Sequence, residues 1–191
     1  FKGQIVKLNP ADGEIKVINS EFKVPAAANY DSKGNIWAID TKTGELFKIN
    51  PADGKRSKVA QLGTGIDNLA LDKQDNIFVS NMVDNGVQQI NPSNGSARQI
   101  TKGGMAAPGG LKLSEDGKTL HVAHLFGLRS VDIASGKLTD VGRMHGDQME
   151  YPFAVTLSKD HYVLSSWFTG TVQLLNRTDK STKAMAHGLA A

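Results

Sequence analysis

The stretch Ile66–Gly95, IDNLALDKQDNIFVSNMVDNGVQQINPSNG, decides how this 191-residue chain folds. It divides into three short strands separated by turn signals. Asn68–Asp72 alternates through Leu69, Ala70 and Leu71 and ends in the polar turn Asp72-Lys73-Gln74-Asp75. Ile77–Ser80 is β-branched and aromatic, the composition of half-buried strands. Met82–Gly86 is a turn rich in Gly, Asn and Asp, and Val87–Ile90 is a third strand closed by Asn91-Pro92-Ser93-Asn94-Gly95. The stretch recurs. Pro10, Pro51 and Pro92 are 41 residues apart, as are Gly13, Gly54, Gly95 and Gly136. The same step links Asn9, Asn50, Asn91 and Asp132, and before them Leu8, Ile49, Ile90 and Val131. A period of about 40–45 residues with about four strands per unit predicts the blades of an all-β propeller, each a four-stranded antiparallel sheet.

Outward from that stretch the whole chain follows the period. Residues 3–22 hold only the second half of a unit, a hairpin. Four full units follow at about 25–65, 66–107, 108–149 and 152–188, within a single propeller domain spanning 1–191. Labelled A to D, strand A is expected at Ala27–Asp31, Asn68–Asp72, Gly110–Ser114 and Ala154–Ser158. Strand B is expected at Asn35–Asp40, Asn76–Asn81, Thr119–His124 and His161–Ser166. Strand C begins near Glu45, Val87, Leu128 and Thr171, and strand D near Arg56, Ala97, Leu138 and Ser181. Open sheet edges are aggregation templates. Four blades plus a hairpin therefore read as part of a larger ring, with open edges at Gln4–Asn9 and near Lys180–Ala186 and self-association through them expected. The alternative is that a partner chain supplies the missing strands. Trp37, Leu71, Ile77, Phe78, Val79, Leu113, Leu120, Leu157 and Leu164 are the expected core between blades.

Composition narrows the function classes. Twenty glycines and few aromatics suit short strands and many turns, and no cysteine is present to make a disulfide or thiolate metal site. A cysteine-free chain is compatible with an extracytoplasmic or periplasmic location, which the reading favours. No run of about 18 apolar residues occurs, so no membrane span is expected. The net charge of +3 is spread over scattered lysines with no basic stripe among aromatics, so no nucleic-acid partner is expected. No Gly-x-Ser-x-Gly elbow, P-loop or dinucleotide fingerprint occurs. Asn94-Gly-Ser and Asn176-Arg-Thr match the glycosylation sequon, but both fall in C–D turns that call for Asn anyway.

Strand parity sorts the loops onto two faces. The A–B and C–D turns share one face and are short and repeated. The B–C and D–A loops share the other and vary, and variable loops on a rigid scaffold are where function concentrates. Two polar series border that variable face. At the mouth of strand A the residues are Ala26, Asp67, Gly109 and Phe153, followed by Ala27, Asn68, Gly110 and Ala154. At the end of strand B they are Asp40, Asn81, His124 and Ser166. The loop Arg143–Tyr151 carries His145, Asp147 and Glu150, residue types suited to acid–base work or to holding a divalent cation. Candidate catalytic residues are His145 and Glu150. Asn81, His124, Asp147 and Trp167 are candidate binding residues, and Asp67 and Asn68 are candidate ligands for calcium or magnesium. Asp67, Asn68, Asn81, His124, His145, Asp147 and Glu150 are expected to converge in one concavity. His121 occupies the slot of Trp37 and Phe78 and reads as a packed core ring.

Asn68-Leu-Ala-Leu-Asp, Asp75-Asn-Ile-Phe-Val-Ser and Gly86-Val-Gln-Gln-Ile-Asn-Pro together resemble the NHL repeat. Gly110-Leu-Lys-Leu-Ser-Glu-Asp-Gly-Lys-Thr-Leu-His-Val-Ala is similar to the same step in SMP-30/gluconolactonase-like propellers. The resemblance covers essentially the whole chain and implies a six-bladed ring, of which this chain supplies about two thirds. In the lactonase branch it implies a divalent cation held by Asn and Asp at the mouth of strand A, plus a Glu near the chain start. Only Asp67, with its neighbour Asn68, keeps an oxygen ligand there; Gly109 and Phe153 stand where Asn and Asp belong. The streptogramin lyase-like branch implies His and Glu on variable loops, the types found at His145 and Glu150, although the spacing does not match. Plain NHL modules bind proteins or ligands without chemistry. The leading expectation is a binding or sensing propeller that takes a small molecule or protein on the variable face. The alternative is a metal-assisted hydrolase or lyase.

Overall fold

The computed structural model describes residues 2–143, 152, 154–166 and 168–189, all in strands, turns and loops with no helix. Alternating Val, Ile, Leu and aromatic residues between turn signals give eighteen strands among the described residues. The first two, β1 (Ile5–Leu8) and β2 (Ile15–Asn19), form a hairpin. Blade I comprises β3 (Pro25–Tyr30), β4 (Ile36–Asp40), β5 (Glu45–Ile49) and β6 (Arg56–Gln61). Blade II comprises β7 (Ile66–Leu71), β8 (Ile77–Asn81), β9 (Gly86–Ile90) and β10 (Ala97–Lys102). Blade III comprises β11 (Leu111–Leu113), β12 (Thr119–His124), β13 (Gly127–Asp132) and β14 (Leu138–Arg143). Blade IV comprises β15 (Ala154–Leu157), β16 (His161–Ser166), β17 (Thr171–Asn176) and β18 (Thr182–Ala186). Each blade is a separate four-stranded antiparallel meander in sequence order. Strands A of successive blades, β3, β7, β11 and β15, lie side by side and line a common channel.

The core lies between blades, because the second strands of blades I, II and III turn alternate side chains to the sheets on either side. Trp37 and Ile39 of β4 meet Ile66, Leu69, Ile77 and Val79 of blade II. Ile36 and Ala38 of the same strand face back to Phe22 and the hairpin. In blade II, Phe78 faces forward to Leu111, Leu120, Val122 and Val131. Blade III joins blade IV through Ala123, Leu128 and Val141 against Val155, Tyr162, Leu164 and Leu175. Trp37 and Phe78 are each 1% exposed, and burying a side chain of this kind contributes roughly 1.5–3 kcal/mol.

Of the nine residues expected in this core, Trp37, Ile77, Phe78, Val79, Leu120 and Leu164 are buried, whereas Leu71, Leu113 and Leu157 are only half-buried. The correction has a simple cause. It is the second strand that is covered on both faces, as in β4 and β8, which are buried throughout. Leu71, Leu113 and Leu157 pack against the interblade clusters too, but from the innermost strand of each blade, whose channel-side edge no further strand of its sheet covers.

The Asn-Pro-x-x-Gly repeat closes the hairpin turn and the C–D turns of blades I and II, and in those two blades it also sets the turn against the preceding sheet. Asn9, Asn50 and Asn91 each accept, through Oδ1, the N–H two residues on, at 3.1, 2.9 and 2.8 Å. Their carbonyls accept the N–H of Gly13, Gly54 and Gly95. These glycines have φ of 77, 70 and 72°, the left-handed region that glycine adopts without strain. A Cβ on Gly54, Gly95 or Gly136 would also lie 2.1–2.3 Å from the carbonyl oxygen of Ile18, Val59 or Ile100. Those three residues are skipped in the register of β2, β6 and β10, so their carbonyls are bulged out of the ladder toward the next blade. Asn94 and Asn176 likewise serve their own turns, accepting the N–H groups of Ser96 and Thr178.

Strand β1 pairs with β2 and β18 with β17, and the two sheets are separate. The hairpin exposes Val6, Leu8, Ile15 and Val17, cross-strand neighbours in the Val6–Val17 and Leu8–Ile15 pairs.

Candidate functional site

The mouth of the channel is shaped by a bulge in β7. Ile66 pairs with Asn81 and Leu69 with Val79, so Asp67 and Asn68 together stand opposite Ser80. The buried Ser80 hydroxyl accepts the Asn68 N–H at 3.0 Å and donates to the Gly109 carbonyl at 2.8 Å, fixing the bulge to blade III. From the other side the Thr41 hydroxyl donates to the Ile66 carbonyl, and Asn29 Nδ2 donates to the Leu69 carbonyl at 2.8 Å. The bulge is therefore held by three blades, while its two polar side chains are left to point elsewhere.

Asp67 is half-buried, and its carboxylate forms no hydrogen bond or ion pair with the described residues; burial raises its pKa above the usual value. A half-buried charge without a partner is costly and calls for an explanation. The Asn68 side chain lines a cavity of about 310 Å³ in the channel, together with Asn29, Tyr30, Lys112 and Thr156. Asp67 lies beside this cavity in sequence without lining it.

The polar series at the ends of strand B has another role. Asp40 Oδ1 and Oδ2 accept the N–H groups of Lys23 (2.6 Å), Val24 (3.2 Å), Lys42 (3.0 Å) and Thr43 (3.2 Å). Asn81 Oδ1 accepts those of Val83 (2.9 Å) and Asp84 (3.0 Å), and Asn81 Nδ2 donates to the Thr64 carbonyl at 3.4 Å. His124 Nδ1 accepts the Phe126 N–H at 3.4 Å, and Ser166 Oγ accepts the Thr169 N–H at 3.3 Å. All four cap the B–C turn that follows them, a local use of short polar side chains. Asn81 is 2% exposed, with both ends of its side-chain amide bonded to backbone in this way.

His124 faces a different cavity, about 370 Å³, lined by Met105, Phe126, Arg129 and Arg143 among others. Burial, and then the nearby Arg129 and Arg143 guanidiniums, lower its pKa to about 4, against a smaller opposing pull from Asp140. Arg129 and Arg143 both bond Asp140, at 2.8 and 2.7 Å. The expected convergence is thus not seen among the described residues: Asn68 lines the channel, His124 a separate groove, and Asn81 its own turn. His145, Asp147, Glu150 and Trp167 lie outside the described residues.

Among the described residues no three His, Cys, Asp or Glu side chains gather as a metal site. Asp67 and Asn68 offer two oxygen-bearing side chains at the mouth, short of the roughly six to eight oxygens that calcium takes. The described donor set does not by itself fit a cation. Sequence reasoning missed His121, which is buried as expected but also faces an interblade groove with Ser130. The signal was available in the aligned units, where blades I and II have bulkier pairs at the same slots, Trp37 with Lys48 and Phe78 with Gln89.

No described protein family and no curated protein matches the sequence. Solved structures do match the fold. A chain of the nidogen/laminin complex superposes with a TM-score of 0.80 at 18% identity, covering 96% of this chain and 70% of that one. A catalytically inactive virginiamycin B lyase from Staphylococcus aureus, solved with quinupristin, gives 0.75 at 15% identity, covering 98% and 64%. A streptogramin B lyase gives 0.73 at 16% identity, covering 100% and 63%. The chain therefore spans somewhat under two thirds of these lyases. At such identities the likeness establishes architecture alone: this chain is a β-propeller of four-stranded antiparallel blades.

Proposed function

We propose that the chain is a binding or sensing propeller that takes a small molecule or a protein on its variable-loop face, at the channel mouth around Asp67 and Asn68. The observation that carries this reading is the half-buried Asp67 carboxylate, which has no partner among the described residues on a bulge that three blades hold rigid. Pre-organised polar groups at the edge of a concavity are what ligand recognition requires. The structural neighbours support it by example: one belongs to a protein–protein complex and another was solved with quinupristin.

A thermal-shift screen of a small-molecule library against wild type and the Asp67→Asn/Asn68→Ala variant tests the proposal. Hits should lose their shift in the variant. Hits indifferent to both substitutions would place binding elsewhere.

The second reading, a metal-assisted lyase or hydrolase, is favoured by the likeness to the two lyases and assigns the chemistry to His145 and Glu150. Incubation with quinupristin, with and without calcium or magnesium, followed by mass spectrometry separates the two readings. Consumption that falls roughly 10²–10⁴-fold in His145→Ala and in Glu150→Ala would favour the enzyme. Self-association through the open edges of β1 and β18 belongs to the same proposal.

A further inference from the structure

The junction between blades III and IV breaks the repeat twice. At one cross-strand slot blade I pairs Trp37 with Lys48, blade II pairs Phe78 with Gln89, and blade III pairs His121 with Ser130. The first pair is closed by the Lys48 ammonium lying over the Trp37 ring at 5.4 Å; an imidazole and a hydroxymethyl group fill much less space. The second break is in the C–D turn of blade IV, Asn176-Arg-Thr-Asp-Lys180. Lys180, at φ 62°, stands where the preceding turns have the glycine that abuts the previous blade. Where both closures are missing, a groove of about 750 Å³ remains, within the size range of small-molecule sites.

Its lining is chemically suited to an anion. His121 is 5% exposed, and its Nδ1 lies 3.1 Å from Ser130 Oγ, with the ring edge-on to Tyr162 at 5.0 Å. Arg177 stacks on the other side of this arrangement, 5.4 Å from the Tyr162 ring centre. Its Nη1 makes only long contacts to the Ser158 and Lys159 carbonyls, at 3.3 and 3.5 Å. Neither Arg177 nor Lys159, which also lines the groove, is paired with a carboxylate among the described residues. Two acids line it as well. Asp116 is occupied by the Ser114 hydroxyl at 2.6 Å and the Lys118 N–H at 3.1 Å, which leaves Glu115 against two cations.

We propose that this groove binds a small polar molecule through an oxyanion group, a carboxylate or a phosphate. Arg177 holds the anion, and the His121–Ser130 pair supplies one further donor from the blade III wall, the His121 Nε2–H or the Ser130 hydroxyl, since their mutual bond uses the other hydrogen. An arginine pre-oriented on an aromatic face, with free N–H edges, is the residue type that recognises such oxyanions.

The test is a titration of the full chain with inorganic phosphate and, separately, malonate, followed by NMR and calorimetry. At least one probe should bind below about 10 mM, and the one that binds more tightly identifies the anion. Affinity should fall at least about tenfold in Arg177→Gln. It should fall equally in the double variant His121→Phe/Ser130→Gln, which installs the pair of blade II, fills the groove and preserves the fold. Arg98→Gln, which removes a guanidinium bonded to Gln89 and the Ile133 carbonyl, should leave binding unchanged. Failure of both probes to bind at about 10 mM overturns the proposal. So does undiminished binding by the folded double variant.

Discussion

At the scale of single residues, the repeated glycines separate two physical demands that usually coincide. Gly13 has φ 77°, but nothing lies within 4 Å of its would-be Cβ; Gly95 has φ 72° and the Val59 carbonyl oxygen at 2.1 Å. Ala at Gly13 meets only the left-handed backbone cost, about 1–2 kcal/mol. Ala at Gly95 meets that cost and must also push blade II away from the bulged carbonyl of blade I. Chemical denaturation should show Gly95→Ala to be the more destabilising by at least about 1 kcal/mol, since overpacking typically costs about 1–3. Equal losses would mean that the turn-to-blade contact contributes nothing beyond local conformation. Capping carries the same lesson. The acceptors at Asp40 and Asn81 look like a ligand ring in an aligned sequence, yet each bonds backbone N–H groups, Asn81 in its own turn and Asp40 both in its turn and at Lys23 and Val24.

At the scale of the element, the strands of a blade have distinct duties. The innermost strand packs between blades with its edge open to the channel, the second strand is the most fully buried, and the outermost strand is mostly exposed. In blade II, Leu69 and Leu71 lie on one face of β7, Leu69 within the core cluster at 1% exposure and Leu71 half-buried at its margin. Truncation should follow that difference. Leu69→Ala should cost about 2–5 kcal/mol, the range for a buried leucine that leaves a cavity. Leu71→Ala, which removes a side chain already partly in water, should cost at or below the lower end of that range. Urea titrations of the two variants read the ordering directly, and a Leu71→Ala loss as large as that of Leu69→Ala would contradict the placement of Leu71 at the margin of the core. The bulge at Asp67–Asn68 is equally a property of the element: it re-aims two polar side chains without interrupting the sheet.

At the scale of the molecule, two buried histidines tie stability to pH. Burial, followed by the charges of Arg177 and Lys180, lowers the His121 pKa to about 4, and His124 falls to about 4 through burial with Arg129 and Arg143. In the unfolded chain both rings titrate near 6.5. Between about 4 and 6.5 the unfolded state therefore binds more protons, and stability rises with pH across that window. The contribution is fully present above about 6.5 and is lost as the pH falls toward 4, on the order of 2–4 kcal/mol for each ring. Denaturation midpoints measured from pH 7 to pH 4 should fall steeply, and His121→Phe should remove about half of that slope. A flat profile in the wild type would show that the rings are protonated in the folded state.

The 41-residue step of Asn, Pro and Gly, with β-branched runs between, was enough to determine the blades, their strand order and the strand boundaries to within two residues. Turn chemistry and alternation are local properties, written into consecutive residues. Local pattern also located the variable loops on one face. What it left open was which side chains meet, because that depends on how one blade lies against the next. Only the tertiary structure shows that Val59 and Ile100 bulge toward Gly95 and Gly136, that Asn81 serves its own turn, and that Asn68 and His124 open into different cavities. It likewise shows that the small pair His121 and Ser130 coincides in space with a turn lacking its glycine, although 44 residues separate Gly136 from Lys180 in sequence. Periodicity specifies each sheet from within, whereas cavities arise between sheets, where departures from the period in two blades add together.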